Sequence, residues 1–120
     1  MDQFDIPLFK KLYELYKKLH GFRSTMPKQD RHTVWQKCEN ILFDVLQEVL
    51  LASQMPKAEK LPIIEKASFD LNAFRIFVRL SKEIKTIDDK KYVSLQSDVD
   101  EVGRMLGGWI KSVKETSGKQ

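Results

Sequence analysis

The sequence has few residues that cross-link chains, bind metals or interrupt helices. Its 120 residues include one cysteine, two histidines, four prolines and five glycines. The single cysteine, Cys38, excludes an internal disulfide and suits a reducing compartment. The cysteine and the histidines lack the spacing of metal ligands, and no apolar run approaches the ~20 residues that cross a bilayer. We therefore expect a cytoplasmic protein without a metal, a cofactor or a membrane partner.

Charged residues of both signs are plentiful, and positive charge is only slightly in excess. The 21 lysines and arginines oppose 17 acids, which gives a net charge of +4. Residues 1–29 and 56–87 each have a net charge of +3, whereas residues 30–55 have −2 and residues 88–120 have 0. This uneven distribution permits an anionic partner but does not require one. The first residues are acidic rather than basic, so we predict no signal peptide.

Apolar residues recur at spacings of three and four along the whole chain, which predicts amphipathic helices. Glycines and prolines separate four such segments and set their approximate bounds. We predict helices over residues 4–22, 27–54, 61–85 and 87–115. Pro62 is expected in the first turn of the third helix, where its missing N–H costs little, and Thr86–Asp89 should contain the N-cap of the fourth.

Four amphipathic helices with short connections predict an all-α fold, an antiparallel up-and-down four-helix bundle formed by residues 1–120 as one domain. Such a bundle needs only one buried stripe on each helix. The second and third helices have additional apolar residues, including Leu51, Phe77 and Leu80. This surplus favours a subunit interface. The alternative is a set of scattered surface residues, which are common in monomers.

A basic row is predicted on the third helix. Arg75, Arg79 and Lys82 follow one another at spacings of four and three, so they share one helix face. Guanidinium groups bind phosphates and carboxylates through a planar fork of donors, and such a row could hold a nucleic-acid backbone without reading its sequence. The alternative is a solvated face whose arginines pair with acids such as Asp70 or Glu83.

The fourth helix contains an unusual group of glycines around a tryptophan. Each interior glycine costs a helix about 0.8–1 kcal/mol relative to alanine, so Gly103 and Gly107 require a reason, and close packing of another element is the usual one. We expect Trp109 to anchor that packing. Arg104 and Lys111 lie two turns apart on one face, which makes them candidates for binding a partner. The alternative for Lys111 is a favourable interaction with the helix C-terminus.

The residues that could perform catalysis do not form a recognisable site. His20 and His32 have no serine or cysteine nucleophile in a known arrangement, and Cys38 lies on an apolar stripe where a small core residue is expected. The acidic pairs of the last helix lack the histidines of a di-metal bundle. We therefore predict that the protein is not an enzyme.

Several segments together resemble the accessory variability determinant (Avd) family of diversity-generating retroelements. The most specific is residues 100–111, DEVGRMLGGWIK, which is similar to the C-terminal helix of that family. Residues 56–62, PKAEKLP, and 71–80, LNAFRIFVRL, are similar to the start and the arginine-bearing part of its third helix. Residues 39–42, ENIL, resemble an element of its second helix. The resemblance covers most of the chain from about residue 25.

The resemblance implies a four-helix bundle that assembles as a homopentameric barrel and has no catalytic activity. It implies two partners, the reverse transcriptase of the retroelement and its template RNA or cDNA, during mutagenic reverse transcription. It gives Arg75 and Arg79 a binding role, and it gives Arg104 either a binding role or a place in the subunit interface. The alternative is an orphan bundle of the type encoded by intervening sequences in 23S ribosomal RNA genes, which has no nucleic-acid role.

Overall fold

Helices form wherever the sequence has apolar residues at helical spacing. The computed structural model describes residues 5–118; residue 4, the expected first residue of the first helix, and residues 119–120 lie outside this range. A 3₁₀ turn, Phe22–Thr25, follows α1, and no strand occurs between residues 5 and 118, which confirms the all-α prediction. The helices are α1 (Asp5–Gly21), α2 (Lys28–Arg31), α3 (Val34–Ser53), α4 (Lys57–Glu83) and α5 (Asp89–Gly118).

The segment predicted as one helix over residues 27–54 is two helices. The break falls at Thr33, whose φ of −119° and ψ of −103° are not helical. Asp30 in the short helix α2 accepts a hydrogen bond from the Thr86 hydroxyl at 3.0 Å. Trp35 at the start of α3 donates its indole N–H to the Leu19 carbonyl at 3.0 Å. These two tertiary bonds hold α2 and α3 against different parts of the bundle, which a single straight helix would not allow.

The third long helix begins earlier than its proline suggested. α4 starts at Lys57, directly after Pro56, so Pro62 lies inside the helix instead of in its first turn. A proline there cannot donate the bond that the Ala58 carbonyl would accept. Both residues are exposed, and water can satisfy that carbonyl, so the helix continues through the proline.

In the connection between α4 and α5, a left-handed residue ends α4 and an aspartate caps the N-terminus of α5. Lys85 adopts a φ of 67°, a left-handed conformation that glycine more often provides at this position. The Thr86 N–H reaches back to the Ser81 carbonyl at 2.8 Å, which closes the end of α4. Asp88 then accepts the Lys91 N–H at 2.8 Å and caps α5, within the segment predicted to contain the N-cap.

Consecutive long helices pack side by side and run antiparallel. α3 contacts α1 and α4, and α5 contacts α4 and α1, so the four long helices close into a ring around one core. The direction follows from the pairing of side chains. Lys11 contacts Asp98 and Glu101 while Lys18 contacts Ser94, so α1 and α5 run in opposite directions. The bundle measures 52 × 20 × 19 Å.

The predicted apolar stripes form the core. Trp35, Phe74 and Trp109 are among the largest fully buried side chains. The stripes of the long helices supply most of the remaining core: Leu8, Leu12, Leu15, Leu19, Cys38, Leu42, Val45, Val49, Ile64, Ala67, Leu71, Val78, Leu95, Val99, Val102, Leu106 and Val113. The four helices therefore bury the faces that periodicity assigned to them.

Some of the additional apolar residues remain on the surface. Leu51 and Leu80 are 49% and 40% exposed, whereas Phe77 packs partly against the core. Two large apolar residues of the outer face of α4, Phe69 and Ile76, are 71% and 63% exposed. No helix within residues 5–118 has the length and hydropathy needed to cross a membrane.

Candidate nucleic-acid and partner-binding surface

Arg75 binds α5 of its own chain. Its Nη1 donates to the Asp100 carboxylate, and its Nη2 donates to the Val99 carbonyl at 3.4 Å. The side chain is 28% exposed. A guanidinium held by two acceptors on a neighbouring helix is a brace between α4 and α5, and a phosphate would have to displace Asp100 to bind it.

Gly103 makes room for that brace, whereas a side chain at residue 107 would point into open space. A Cβ built at residue 103 would lie 2.9 Å from Arg75 Nη2 and 3.8 Å from a Leu71 methyl carbon. A Cβ built at residue 107 would meet no atom within 4 Å. The position of the Arg75 side chain therefore explains why residue 103 is a glycine. Gly107 lies on the exposed surface of α5, and no neighbouring atom requires a glycine there.

Arg79 and Lys82 also have partners on the protein. Arg79 Nε donates to Glu83 Oε1 at 3.1 Å, one helical turn away, and both side chains are more than half exposed. Lys82 places its ammonium 4.8 Å from the centroid of the Tyr92 ring on α5. Exposed ion pairs at this spacing contribute only a few tenths of a kcal/mol and weaken in salt. An anionic partner can therefore recruit Arg79 at little cost.

Arg104 and Lys111 are the exposed cations of the candidate set that no acid neutralises. Both project from α5, and neither makes a hydrogen bond or an ion pair with any residue between positions 6 and 116. The next cation along the helix, Lys114, lies 3.8 Å from Glu65. Arg104 and Lys111 thus form a basic surface that is open to an anionic partner, which we call the α5 face.

Trp109 belongs to the core rather than to a surface. Its side chain is fully buried, and the ammonium of Lys60, itself a buried residue, lies 5.5 Å from the ring centroid. The tryptophan anchors packing between helices of the same chain, and it is not available to a second molecule.

Two clusters of charged residues lie between helices, and the sequence analysis did not predict them. At the α1–α5 contact, Asp98 lies between Lys18, at 2.9 Å, and Lys11, at 3.2 Å. Burial alone would raise the pKa of Asp98, but the hydrogen bonds from the two lysines outweigh it and lower the pKa. The pKa of Lys11 is raised, chiefly by its hydrogen bond to Glu101.

At the α3–α4 contact, one lysine lies between two carboxylates. Lys66 Nζ is 2.9 Å from Glu48 Oε2 and 2.9 Å from Asp70 Oδ2. Glu48 is largely buried, and its Oε1 has no hydrogen-bond partner. Burial is the main cause that raises the pKa of Glu48 to about 7, and the neighbouring Asp70 raises it further against the effect of Lys66.

A buried glutamate organises the end of the bundle where α1 ends and α3 begins. Glu39 is 2% exposed. It accepts hydrogen bonds from Arg23 Nη1 at 2.6 Å and from the Tyr16 hydroxyl at 2.9 Å, and His20 Nδ1 lies 3.4 Å away. Burial would raise the pKa of Glu39, but these partners outweigh it and lower the pKa. The available sequence signal was its position on the buried side of α3, beside Cys38.

Cys38 behaves as a core residue. It is fully buried, and its sulfur lies 3.8 Å from the Ser81 hydroxyl. Burial raises the pKa of the thiol to about 11. A thiol that remains protonated at neutral pH is a poor nucleophile, in keeping with the packing role predicted for it.

Comparison with known sequences assigns the family. No curated protein matches the chain. The sequence model of the bAvd-like family matches residues 7–113, a span that contains all the candidate binding residues and most of every long helix. The match confirms the resemblance that the glycine-rich segment of α5 suggested. The chain belongs to the bAvd-like family.

Proposed function

We propose that this protein is a non-enzymatic accessory subunit of a diversity-generating retroelement. In this function it binds the reverse transcriptase and the template RNA or cDNA and supports mutagenic reverse transcription. Family membership supports the accessory role. The α5 face supports the anionic partner, because Arg104 and Lys111 are exposed cations that no acid of the described chain neutralises.

The candidate cations differ in what a partner must displace. The α5 face can bind phosphate oxygens directly. Arg79 must exchange Glu83 for a phosphate, which costs little at an exposed pair. Arg75 must break its hydrogen bonds to the Asp100 carboxylate and the Val99 carbonyl before it can bind a phosphate. We therefore rank Arg104 and Lys111 first, Arg79 and Lys82 second, and Arg75 last as contacts for nucleic acid.

The test is RNA binding by the α5 variant Arg104→Ala with Lys111→Ala. Single-stranded RNA binding should weaken, and the slope of log K against log salt should decrease by about 0.7 for each phosphate contact that is lost. The matched control is Lys10→Ala with Lys57→Ala, which removes the same charge from two exposed lysines on α1 and α4. Fluorescence anisotropy at several salt concentrations measures both quantities.

An equal loss in the control variant would mean that net charge alone governs binding, and it would remove the α5 face from the proposal. Co-purification with the reverse transcriptase encoded nearby tests the protein partner separately. A coding neighbourhood without a reverse-transcriptase gene and paired repeats would favour the orphan bundle of the intervening-sequence type.

We also propose that the protein assembles as the homopentamer that its family resemblance implies. Two different apolar surfaces support a ring. One is the outer face of α4 with Phe69, Ile76 and Leu80. The other is a groove between α1 and α3 of about 370 Å³, lined mainly by Ile6, Phe9, Tyr13, Val49 and Leu50. A convex surface and a groove on different helices suit a head-to-tail contact, and such contacts form a ring when the rotation between neighbouring subunits closes.

Light scattering tests the assembly. Wild-type protein should have about five times the subunit mass of 14.1 kDa. Ile76→Lys places a charge on the α4 surface and should reduce the mass to that of one subunit, because burying an unpaired charge is costly. Val93→Lys is the matched control, since Val93 is an equally exposed residue, 65%, on α5. A monomeric wild type would overturn the proposal.

A further inference from the structure

A basic cleft lies at the end of the bundle, apart from the α5 face. It has a volume of about 450 Å³ and is lined by His20, Gly21, Arg23, Ser24, Arg31 and His32. The 3₁₀ turn and α2 form it together with the end of α1. Two arginines and two histidines line this cleft, and no acidic residue is among the described residues that do so.

Arg23, one of the residues that line the cleft, is held in place by two acceptors on α3. Its Nη1 donates to Glu39 at 2.6 Å and to the Gln36 side-chain oxygen at 3.3 Å. Its Nη2 lies 3.3 Å from His32 Nδ1. Glu39 thus holds the guanidinium in one orientation and leaves its other nitrogen directed toward the ring of His32.

Arg31 has no acid to balance its charge. Its Nη2 donates to the Ser24 carbonyl at 3.2 Å, and no carboxylate of the described chain pairs with it. Its Nε is buried and has no hydrogen-bond partner. The neighbouring acid, Asp30, already accepts a bond from Thr86. A buried guanidinium N–H without an acceptor is unfavourable, so a rotation of the Arg31 side chain that brings this N–H to an oxyanion in the cleft would be favourable.

We propose that this cleft binds a phosphate group, either a phosphodiester of a nucleic-acid strand or a free phosphate. Arg31 supplies the uncompensated donor and charge, and Arg23 supplies a second guanidinium that Glu39 pre-orients. The fixed, planar donor fork of arginine matches the tetrahedral oxygens of phosphate. This site is built from α1, the 3₁₀ turn and α2, so it stands independently of the function proposed for the α5 face.

The test follows the arginine Nε–H signals of the full-length protein by NMR while inorganic phosphate is added at constant ionic strength. We expect saturable shifts of the Arg31 signal, and smaller shifts of the Arg23 signal. Arg31→Gln should weaken phosphate binding by about tenfold or more, because a hydrogen bond to a charged group is lost. Lys57→Gln is the matched control, since it removes the same charge from an exposed residue at the start of α4, and it should leave phosphate binding unchanged.

Two further titrations distinguish the source of the phosphate. A short single-stranded RNA without terminal phosphates should shift the Arg31 signal and compete with inorganic phosphate if a backbone phosphodiester occupies the cleft. If only inorganic phosphate shifts the Arg31 signal, the ligand is a free phosphate.

The titration of the wild-type protein decides the proposal even if Arg31→Gln does not fold. Equal shifts with chloride, or no shift with either phosphate source, would overturn the proposal. The variant of Arg104 and Lys111 should retain this response even if it loses RNA binding at the α5 face.

Discussion

The α1–α5 contact and the α3–α4 contact use similar groups with opposite results. In the first, Asp98 lies between two lysines and its pKa is lowered. In the second, Glu48 shares one lysine with Asp70 and its pKa is raised to about 7. Both carboxylates are largely buried beside a lysine. Both carboxylates form a salt bridge, so the salt bridge does not explain the difference. The number of lysines around each carboxylate decides whether its ionised form stabilises the folded state.

The difference shows where the bundle is sensitive to pH. A second lysine offsets the desolvation of Asp98, whereas a second acid adds to the desolvation of Glu48. Ionised Glu48 therefore destabilises the folded protein near neutral pH relative to its protonated form, whereas ionised Asp98 stabilises it. Substitutions at the two contacts should change stability in opposite directions.

Glu48→Gln should give the largest effect. The folded-state pKa of Glu48 is about 7 and its ordinary value is 4.5, so the folded protein retains a proton that the unfolded chain releases. The stability linked to this group is complete below pH 4.5 and is lost as the pH rises through about 7. Glutamine resembles the protonated form, so the variant should be more stable by about 1–3 kcal/mol at pH 8. Urea unfolding measures this difference.

The same variant provides an internal control at low pH. Well below pH 4.5, wild type and variant should have nearly the same free energy of unfolding, because Glu48 is then protonated in both the folded and the unfolded state. Asp44→Asn removes a nearby exposed acid and should not reproduce the gain. A destabilised Glu48→Gln at pH 8 would show that the bond to Lys66 outweighs desolvation, and the contrast between the two contacts would not hold.

Asp98→Asn should give a smaller effect of opposite sign. The variant loses the charge that Lys11 and Lys18 bind, so its free energy of unfolding should fall by about 1–2 kcal/mol at pH 7. The folded-state pKa lies below the ordinary value of 3.8. This stabilisation is therefore present above pH 3.8 and is lost as the pH falls through the folded-state pKa. Stability curves of wild type and variant should converge in acid; a constant difference would indicate a packing effect.

The two glycine substitutions in the interior of α5, Gly107→Ala and Gly103→Ala, should give the smallest effects. A methyl group at residue 107 meets open space, so Gly107→Ala should gain about 0.8–1 kcal/mol from helix propensity. Gly103→Ala should gain less, because the new methyl displaces the Arg75 guanidinium. Thermal unfolding compares the two variants. Weaker assembly of Gly107→Ala in light scattering would place that residue in an intermolecular contact.

Local pattern was sufficient for most of the fold. The apolar stripes identified the buried face of each long helix, and Thr86–Asp89 was identified as the segment containing the cap of α5. Local pattern failed at Thr33 and at the start of α4. A bond between Asp30 and Thr86, far apart in sequence, fixes the break, and an exposed proline is tolerated within α4 because water can satisfy the carbonyl it leaves unpaired.

The sequence by itself determined four amphipathic helices and the family, because helical spacing and the glycine-rich motif are local properties. Only the tertiary structure decided which charges are available. Asp100 neutralises Arg75 from the neighbouring helix, while Arg104 has no such partner. Helix packing also brings Arg31 beside the Glu39 network. Electrostatic energy depends on distance and burial, and packing sets both for residues that lie far apart in the chain.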